Sequence, residues 1–302
     1  MKLPPPWDPA LQAGDEVECD PSLLLALPTG FQCVRLTVAD GKSNWANLVK
    51  VETREVETDS SCYFFMKIAR GDSAKSMLEG EYEGIHAIYK MVPEFVPKPI
   101  AWGRYQNTPD TYFFVQEYID MDASELPKAE TFCSKLAALH KSSISPNRKF
   151  GFHVTTCNGS VPQRVDWEDS WEVFFAKGLR HMLELDLKVN GPQPDLMQAI
   201  TPIFDRVIPR LLRPLEQGHN RIKPCLVHGD LWFGNTASRK DTGIPIIFDP
   251  AAFYAHSEYE LGNWRHNRSI FKEEYYEAYL KHYGGPAEPK DEFEDRNLLY
   301  SL

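Results

Sequence analysis

Two carboxylates and a carboxamide in the second half of the chain have the types and spacing of a metal site. Asp230 and Asn235 stand in the segment CLVHGDLWFGN with four residues between them, and Asp249 follows Asn235 by fourteen positions at the end of an apolar run. Carboxylate and amide oxygens are the donors that Mg²⁺ prefers, with phosphate oxygens completing its shell. Because unpaired polar groups are costly among apolar neighbours, these residues predict a site for Mg²⁺ and phosphate.

A cation that could meet those phosphates stands in the first half of the chain. Lys67 lies in the strand-like run FFMKIA, and Glu81 follows fourteen residues later in a segment with helical spacing. A strand lysine held by a helix glutamate fixes a cation against the α- and β-phosphates in protein-kinase-like folds. Upstream, the turn DGKSN, with Gly41, Ser43 and Asn44, can fold over phosphates and donate backbone N–H groups.

Each of these features also has a plain structural explanation. A strand lysine is usually solvated, a helix glutamate is usually a surface charge, and DGKSN is a common hairpin turn. The order of the features carries the argument: loop, strand lysine, helix glutamate, hinge, D-x-x-x-x-N and strand-end aspartate. This order is the one expected for a kinase-like fold.

The elements that must position these residues fall into two groups. Runs rich in β-branched and aromatic residues predict five antiparallel strands, and helical periodicity predicts one helix between the third and fourth. The strands are expected within 31–39, 47–57, 62–70, 96–105 and 110–119, and the helix within 73–92.

After Tyr118 the pattern becomes mainly helical, with two short strands near Asp230. Helices are expected over 126–142, 167–185, 194–215 and 269–283, and the short strands over 225–228 and 245–249. The fold class is therefore α+β, with a five-stranded, β-rich nucleotide-binding lobe (21–118) joined to a helical catalytic lobe (119–302). Residues 1–20 are expected to form an N-terminal extension. A cleft is expected where the two lobes meet.

Composition excludes several classes of protein. The formal charge of −10 argues against nucleic-acid binding. No apolar run approaches the roughly 20 residues of a membrane span. The six cysteines are scattered, and the N-terminal segment is too rich in proline and acidic residues for a signal peptide. We therefore expect reduced thiols, a cytoplasmic location, no membrane partner, and a monomer or weak homodimer.

Longer motifs resemble one family. The segments HGDLWFGN and IPIIFDPAAFYAHSEYELG resemble the fructosamine-3-kinase (ketosamine-3-kinase) family, itself similar to aminoglycoside and choline kinases. The resemblance extends to YFFMKI, MLEGEYEGI, FGFHVTTCNGSVPQ and WEDSWEVFFAKGLR, and covers most of residues 22–300. HGD with D-x-x-x-x-N is common to the wider group, whereas GDLWFGN with DPAAFYAHSEYELG is more particular to ketosamine kinases.

The resemblance implies a bilobal protein-kinase-like fold and a role for each residue. Asp230 resembles the catalytic aspartate that orients a sugar hydroxyl and accepts its proton. Asn235 and Asp249 resemble the metal ligands, and Lys67 with Glu81 the pair that anchors the phosphates of ATP.

The segment VQEYI resembles the hinge whose backbone receives adenine, which brings in Gln116, Glu117 and Tyr118; a plain strand end would look the same. Trp232 could stack on the sugar or support the loop. His256 and Glu258 could meet the substrate or brace Asp249, and bracing is favoured.

The implied activity is ATP- and Mg²⁺-dependent phosphorylation of a ketosamine, of the fructosamine or ribulosamine type, at the O3 hydroxyl of the sugar. The ketosamine would be a small molecule or bound to protein. The alternatives are another small-molecule kinase of the aminoglycoside or choline kinase type, and a non-catalytic pseudokinase. The chain departs from the family in the phosphate loop, where Gly41 is followed by Lys42 instead of a second glycine. Some members carry a cysteine proposed as a redox switch in this loop. This chain has Ser43 near that position, so redox regulation is not carried over.

Overall fold

The smaller lobe is built on one antiparallel sheet that holds Lys67 in its interior. The computed structural model describes residues 3–41, 43–218, 221–265 and 270–302. The strands are β1 (Glu16–Val17), β2 (Phe31–Val38), β3 (Asn47–Glu55), β4 (Ser61–Arg70), β5 (Pro99–Arg104) and β6 (Thr111–Glu117), in the order β1-β2-β3-β4-β6-β5. The helices of this lobe are α1 (Pro21–Ala26) and α2 (Ala74–Met91).

The predicted count of five strands is wrong, because β1 adds a sixth strand at the edge of the sheet. It has only two residues, Glu16 and Val17, in an acidic segment rich in proline, so no run of strand-forming residues announces it. The short helix α1 was not predicted either. Asp20 precedes it as the N-cap, and its carboxylate accepts a hydrogen bond from the backbone N–H of Ser22, which stabilises such a helix.

The larger lobe is mainly helical, as predicted, with short strands at the interlobe cleft. Its helices are α3 (Ala129–Ser142), α4 (Trp171–Asn190), α5 (Pro194–Pro202), α6 (Ile208–Leu212), α7 (Glu273–Tyr283) and α8 (Phe293–Tyr300). Its strands are β7 (Met121–Asp122), β8 (Cys157–Asn158), β9 (Val161–Pro162), β10 (Cys225–Val227), β11 (Thr236–Arg239), β12 (Pro245–Ile247) and β13 (Phe253–Ala255). The single helix expected over 194–215 is divided by a π-helical segment, Ile203–Val207, which follows Pro202. Proline inside a helix removes a backbone hydrogen bond and disturbs the regular turn.

Two glycines of α2 bring the smaller lobe against the larger one. A Cβ atom at Gly80 would lie 2.5 Å from the carbonyl oxygen of Thr155, and one at Gly84 would lie 3.1 Å from the Cβ of Ala252. At Gly80 only glycine permits this approach, and at Gly84 a larger residue would be tight, so α2 packs directly on the larger lobe. No helix among the described residues is long and apolar enough to cross a membrane.

Candidate active site

Lys67 lies on β4, between β3 and β6, with its side chain turned into the cleft. Its Nζ donates to Oε1 of Glu81 at 2.8 Å and to Oδ1 of Asp249 at 2.5 Å. Burial alone would lower the pKa of Lys67, but the carboxylates of Asp249 and Glu81 outweigh burial and raise it. The structure therefore brings together a charged lysine, its helix glutamate and a carboxylate of the other lobe.

Asp249 occupies a backbone conformation that turns the chain after β12. Its φ is +58°, in the left-handed region, which aspartate tolerates better than most residues. One carboxylate oxygen accepts from Lys67, while 44% of the side chain remains exposed toward the cleft. The backbone N–H of Phe248 donates to the carbonyl of Asn235 at 3.1 Å. Because Phe248 precedes Asp249, this bond keeps the two predicted metal ligands side by side.

Asn235 in turn orients Asp230. Its Nδ2 donates to the backbone carbonyl of Asp230 at 2.9 Å and to its Oδ2 at 3.0 Å. The nitrogen of the carboxamide is therefore engaged, which leaves the Oδ1 atom of Asn235 as a donor to a metal ion. With the carboxylate of Asp249, it forms the all-oxygen set that suits Mg²⁺.

His228 is a structural member of the loop that carries Asp230. Its Nε2 donates to the backbone carbonyl of Phe248 at 2.8 Å, and its Nδ1 accepts from the backbone N–H of Asp230 at 3.3 Å. This pair of bonds requires the neutral ring with its proton on Nε2. Burial lowers the pKa of His228, which also favours the neutral ring. The imidazole thus ties the Asp230 loop to the residue before Asp249.

The role of Glu260 was not predicted from the sequence. This buried carboxylate accepts hydrogen bonds from the backbone N–H groups of His228, at 2.5 Å, and of Gly229, at 3.0 Å. It stands in the family-like segment YELG, yet nothing in that segment shows that its partners lie some thirty residues earlier. Glu260 therefore fixes the backbone from which Asp230 projects.

Asp230 occupies a partly buried position that perturbs its titration. Burial raises the pKa of Asp230 to about 7, and the hydrogen bond from Asn235 opposes this shift, while the negative charges of Asp249 and Glu260 add to it. A carboxyl group with a pKa near the working pH suits proton transfer in either direction.

Two adjoining cavities lie between the lobes, and together they receive most of the predicted site residues. One, of about 550 Å³, is lined on its hinge side by Gln116, Glu117 and Tyr118. The other, of about 840 Å³, is lined by Asp230, Asn235, Asn44 and Trp232. Shared by both are Ser43, Lys67, Gly234 and Asp249.

Residues of the predicted phosphate loop and a second tryptophan also line the two cavities. Gly41 lines the smaller cavity with a φ of +118°, whereas Lys42 lies outside the described residues. The hydroxyl of Ser43 accepts hydrogen bonds from the backbone N–H groups of Trp45 and Ala46, both at 3.2 Å, which folds the loop. The sequence did not single out Trp45 as a lining residue of the larger cavity.

His256 and Glu258 lie outside the two cavities. Both are buried, and neither lines the two cavities. The Nδ1 of His256 and the hydroxyl of Tyr300 share a hydrogen bond of 3.0 Å, and the carboxylate of Glu258 accepts two from Arg296, at 2.7 and 3.0 Å. These partners belong to α8, so the two residues connect the segment after Asp249 to the last helix instead of contacting Asp249.

Comparison with known proteins finds a matching family, similar sequences and a similar solved structure. Residues 42–302 match the model of the family described as fructosamine kinase. The chain is 34% identical over 255 residues to the chloroplastic protein-ribulosamine 3-kinase of Arabidopsis thaliana, spanning 82% of this chain and 70% of that protein. It is 35% identical over 267 residues to the ketosamine-3-kinase of Mus musculus, spanning 79% of each. A crystal structure of a candidate fructosamine-3-kinase from Thermobifida fusca has the same fold, with a TM-score of 0.71 at 21% identity over 90% of this chain and 86% of that one.

Proposed function

The chain belongs to the fructosamine kinase family, and on that premise we propose that it transfers the γ-phosphoryl group of ATP to the O3 hydroxyl of a ketosamine. The observation that carries the proposal is the convergence of Lys67, Asp249 and Asp230 on adjoining cavities of one cleft. A cation for the phosphates, a carboxylate for a metal and a carboxylate for an acceptor hydroxyl are the groups that phosphoryl transfer needs.

Each cavity has a part in this proposal. The cavity along Gln116–Tyr118 would hold the nucleotide, since Lys67 and Asp249 also line it. The cavity around Asp230 and Trp232 would hold the sugar. Trp232 is 40% exposed there, so its indole is free to stack on a sugar ring. The substrate hydroxyl would then lie between Asp230 and the terminal phosphate.

The proposed chemistry of the protein residues is positioning and proton transfer. Asp230 orients the attacking hydroxyl and takes its proton, while Asn235 and Glu260 hold the aspartate and its loop in place. Mg²⁺, when held by Asn235 and Asp249, would neutralise charge that develops on the phosphate oxygens. Such a loose transition state needs little covalent assistance from the protein, so orientation within the cleft supplies most of the rate.

The other activities considered from the sequence are less well supported. Curated relatives at 34 and 35% identity are named for ribulosamine and ketosamine phosphorylation, and none of these names an aminoglycoside or choline. A pseudokinase has no need of a lysine and glutamate for the phosphates, a base and two metal ligands, and the five residues proposed for these roles line one cavity.

An acceptor panel tests the proposal. The protein is incubated with Mg·ATP and fructosyl-, ribosyl- and erythrulosyl-amines, with kanamycin and choline as comparison substrates, and ADP release is measured. We expect turnover with one or more ketosamines and only background with kanamycin and choline. Loss of turnover with a 3-deoxy ketosamine would assign the O3 position. Turnover with kanamycin or choline alone would overturn the proposed function.

A further inference from the structure

Gln116 carries a buried carboxamide oxygen that lacks a partner. The residue is 4% exposed, and no group in the described parts of the chain donates a hydrogen bond to its Oε1. Leaving such an atom unsatisfied is destabilising, and an apolar side chain at this position would avoid the cost. Gln116 also lines the cavity proposed for the nucleotide. Because the residue lines this cavity, a ligand held there can supply the missing partner when the carboxamide turns toward it.

The register of the sheet places this carboxamide between the phosphate anchor and the hinge. On β4 and β6, Lys67 is paired with Phe114, and Phe65 is paired with Gln116. Residues two apart on a strand face the same side of a sheet, so Gln116 shares the face of Lys67. The pair that contains Gln116 lies two residue pairs nearer to the strand end at Glu117 than the pair that contains Lys67. If a nucleotide places its phosphates at Lys67 and its base at the hinge, the base therefore lies beside Gln116.

The chemistry of a carboxamide matches one position on a purine. Adenine carries an exocyclic amine at C6, which donates, and guanine carries a carbonyl oxygen there, which accepts. The carboxamide of glutamine offers an accepting oxygen and a donating nitrogen, and rotation about its last bond exchanges them. It can therefore pair with either substituent, whereas a purine with only hydrogen at C6 offers no partner.

We propose that the side chain of Gln116 hydrogen-bonds the exocyclic C6 substituent of the purine base and so contributes to base selection. This inference rests on the proposed function, because it takes the cavity to be the nucleotide site. It differs from backbone recognition at the hinge, which involves no side chain. Gln116 is then a specificity-determining residue for the nucleotide, placed beside the base and away from the transferred phosphate.

Equilibrium titrations of nucleoside diphosphates test this contact without any acceptor. The probes are ADP, GDP and purine riboside 5′-diphosphate, which has hydrogen at C6, each titrated with Mg²⁺ into the full chain by calorimetry. The proteins are wild type, Gln116→Met and Gln116→Glu, with Gln32→Met as the matched control on the exposed face of β2. Methionine has nearly the length of glutamine but cannot form the bond. Circular dichroism checks that each variant is folded.

We expect the preference for ADP over the purine riboside analogue to fall about 3- to 10-fold in Gln116→Met, the range for one net hydrogen bond. Gln32→Met should keep the wild-type preference. In Gln116→Glu the side chain can only accept when ionised, so the ratio of ADP to GDP affinity should rise. If Gln116→Met fails to fold, this ratio in Gln116→Glu decides.

Two results would overturn the contact: an unchanged preference in Gln116→Met, or an equal loss of affinity for all three nucleotides. An unchanged ratio of ADP to GDP affinity in Gln116→Glu would do the same. If the base preference changes as expected but no ketosamine is phosphorylated, the contact stands and the proposed function fails. If no nucleotide binds at all, both fail.

Discussion

Lys67 and Asp249, on different lobes, are joined by a hydrogen bond of 2.5 Å between Nζ and Oδ1. The cation assigned to the phosphates is thus paired with the carboxylate assigned to the metal. Mg·ATP brings a partner of opposite charge for each group, so nucleotide binding would exchange this pair for two new ones. The arrangement keeps the charge of the buried Lys67 paired, where an unpaired charge would be costly.

The first prediction concerns Asp249. Changing Asp249→Asn removes one charge from the proposed metal site, and we expect the affinity for Mg·ATP to fall roughly tenfold or more, a scale that even outer-shell changes reach at metal sites. Calorimetric titration with ATP, with and without Mg²⁺, measures the effect. Asp241→Asn, on the exposed turn between β11 and β12, should bind as wild type. Unchanged Mg²⁺-dependent affinity in Asp249→Asn would remove Asp249 from the metal site.

The second prediction separates proton transfer from binding. Asp230→Asn cannot accept a proton but keeps the shape of the side chain, so we expect turnover to fall by roughly 10²- to 10⁴-fold. The affinity for Mg·ATP should stay close to wild type. Both quantities are measured with the ketosamine identified by the acceptor panel. Near-normal turnover in this variant would show that Asp230 is not the base.

The third prediction tests the close packing of α2. A Cβ at Gly80 would meet the backbone oxygen of Thr155 at 2.5 Å, so Gly80→Ala should displace the helix and cost about 1–3 kcal/mol in the free energy of unfolding. Since Glu81 is the next residue, turnover should fall as well. The matched control is Gly178→Ala in the interior of α4, where an added Cβ meets nothing within 4 Å.

Gly178→Ala should stabilise the protein by about 0.5–1 kcal/mol, because alanine is the better helix former. Urea unfolding and turnover of the two variants are compared with wild type. Equal stability of Gly80→Ala and Gly178→Ala would contradict the close contact with Thr155.

The fourth prediction concerns acid stability and His256. Burial lowers the pKa of this residue from 6.5 to about 4, against the opposing effect of Glu258. Between these two pH values the unfolded chain binds a proton that the folded protein does not. The free energy of unfolding should therefore decrease as pH falls from 6.5 to 4, by up to about 1.4 kcal/mol per pH unit from this group.

Urea unfolding across this range measures the slope. His256→Gln removes the titrating ring, so its stability should depend less steeply on pH, although the variant is less stable at pH 7 because the bond to Tyr300 is altered. The same slope in wild type and variant would exclude His256 as a source of acid sensitivity.

Local patterns were sufficient to predict most of the residues that meet in the cleft. Lys67 and Glu81 could be paired because a strand and a helix lie close together in sequence, and Asp249 because it ends an apolar strand. The edge strand β1 could not be predicted, since two residues carry no periodicity. The division of the helix expected over 194–215 was equally hidden, because helical periodicity continues through Pro202.

The partners of buried charged residues could not be predicted either, because they lie far away in the sequence. Glu258 was expected to brace Asp249 or meet the substrate, because it follows Asp249 closely. Its partner Arg296 is thirty-eight residues further along, on α8. Likewise, Glu260 gave no sign that it accepts hydrogen bonds from the loop of Asp230. No local pattern encodes such pairs, so the residues that hold the site were harder to predict than those that compose it.

The glycine contacts of α2 have a consequence for how the cleft can open. Gly80 and Gly84 set α2 directly on the larger lobe, while the same helix also packs on β4, β5 and β6 of the sheet. The helix therefore links the two lobes, and a relative motion of the lobes would have to break either the glycine contacts or the packing of α2 on the sheet. Because Lys67 lies on the sheet and Glu81 on the helix, the hydrogen bond between them would lengthen only in the second case.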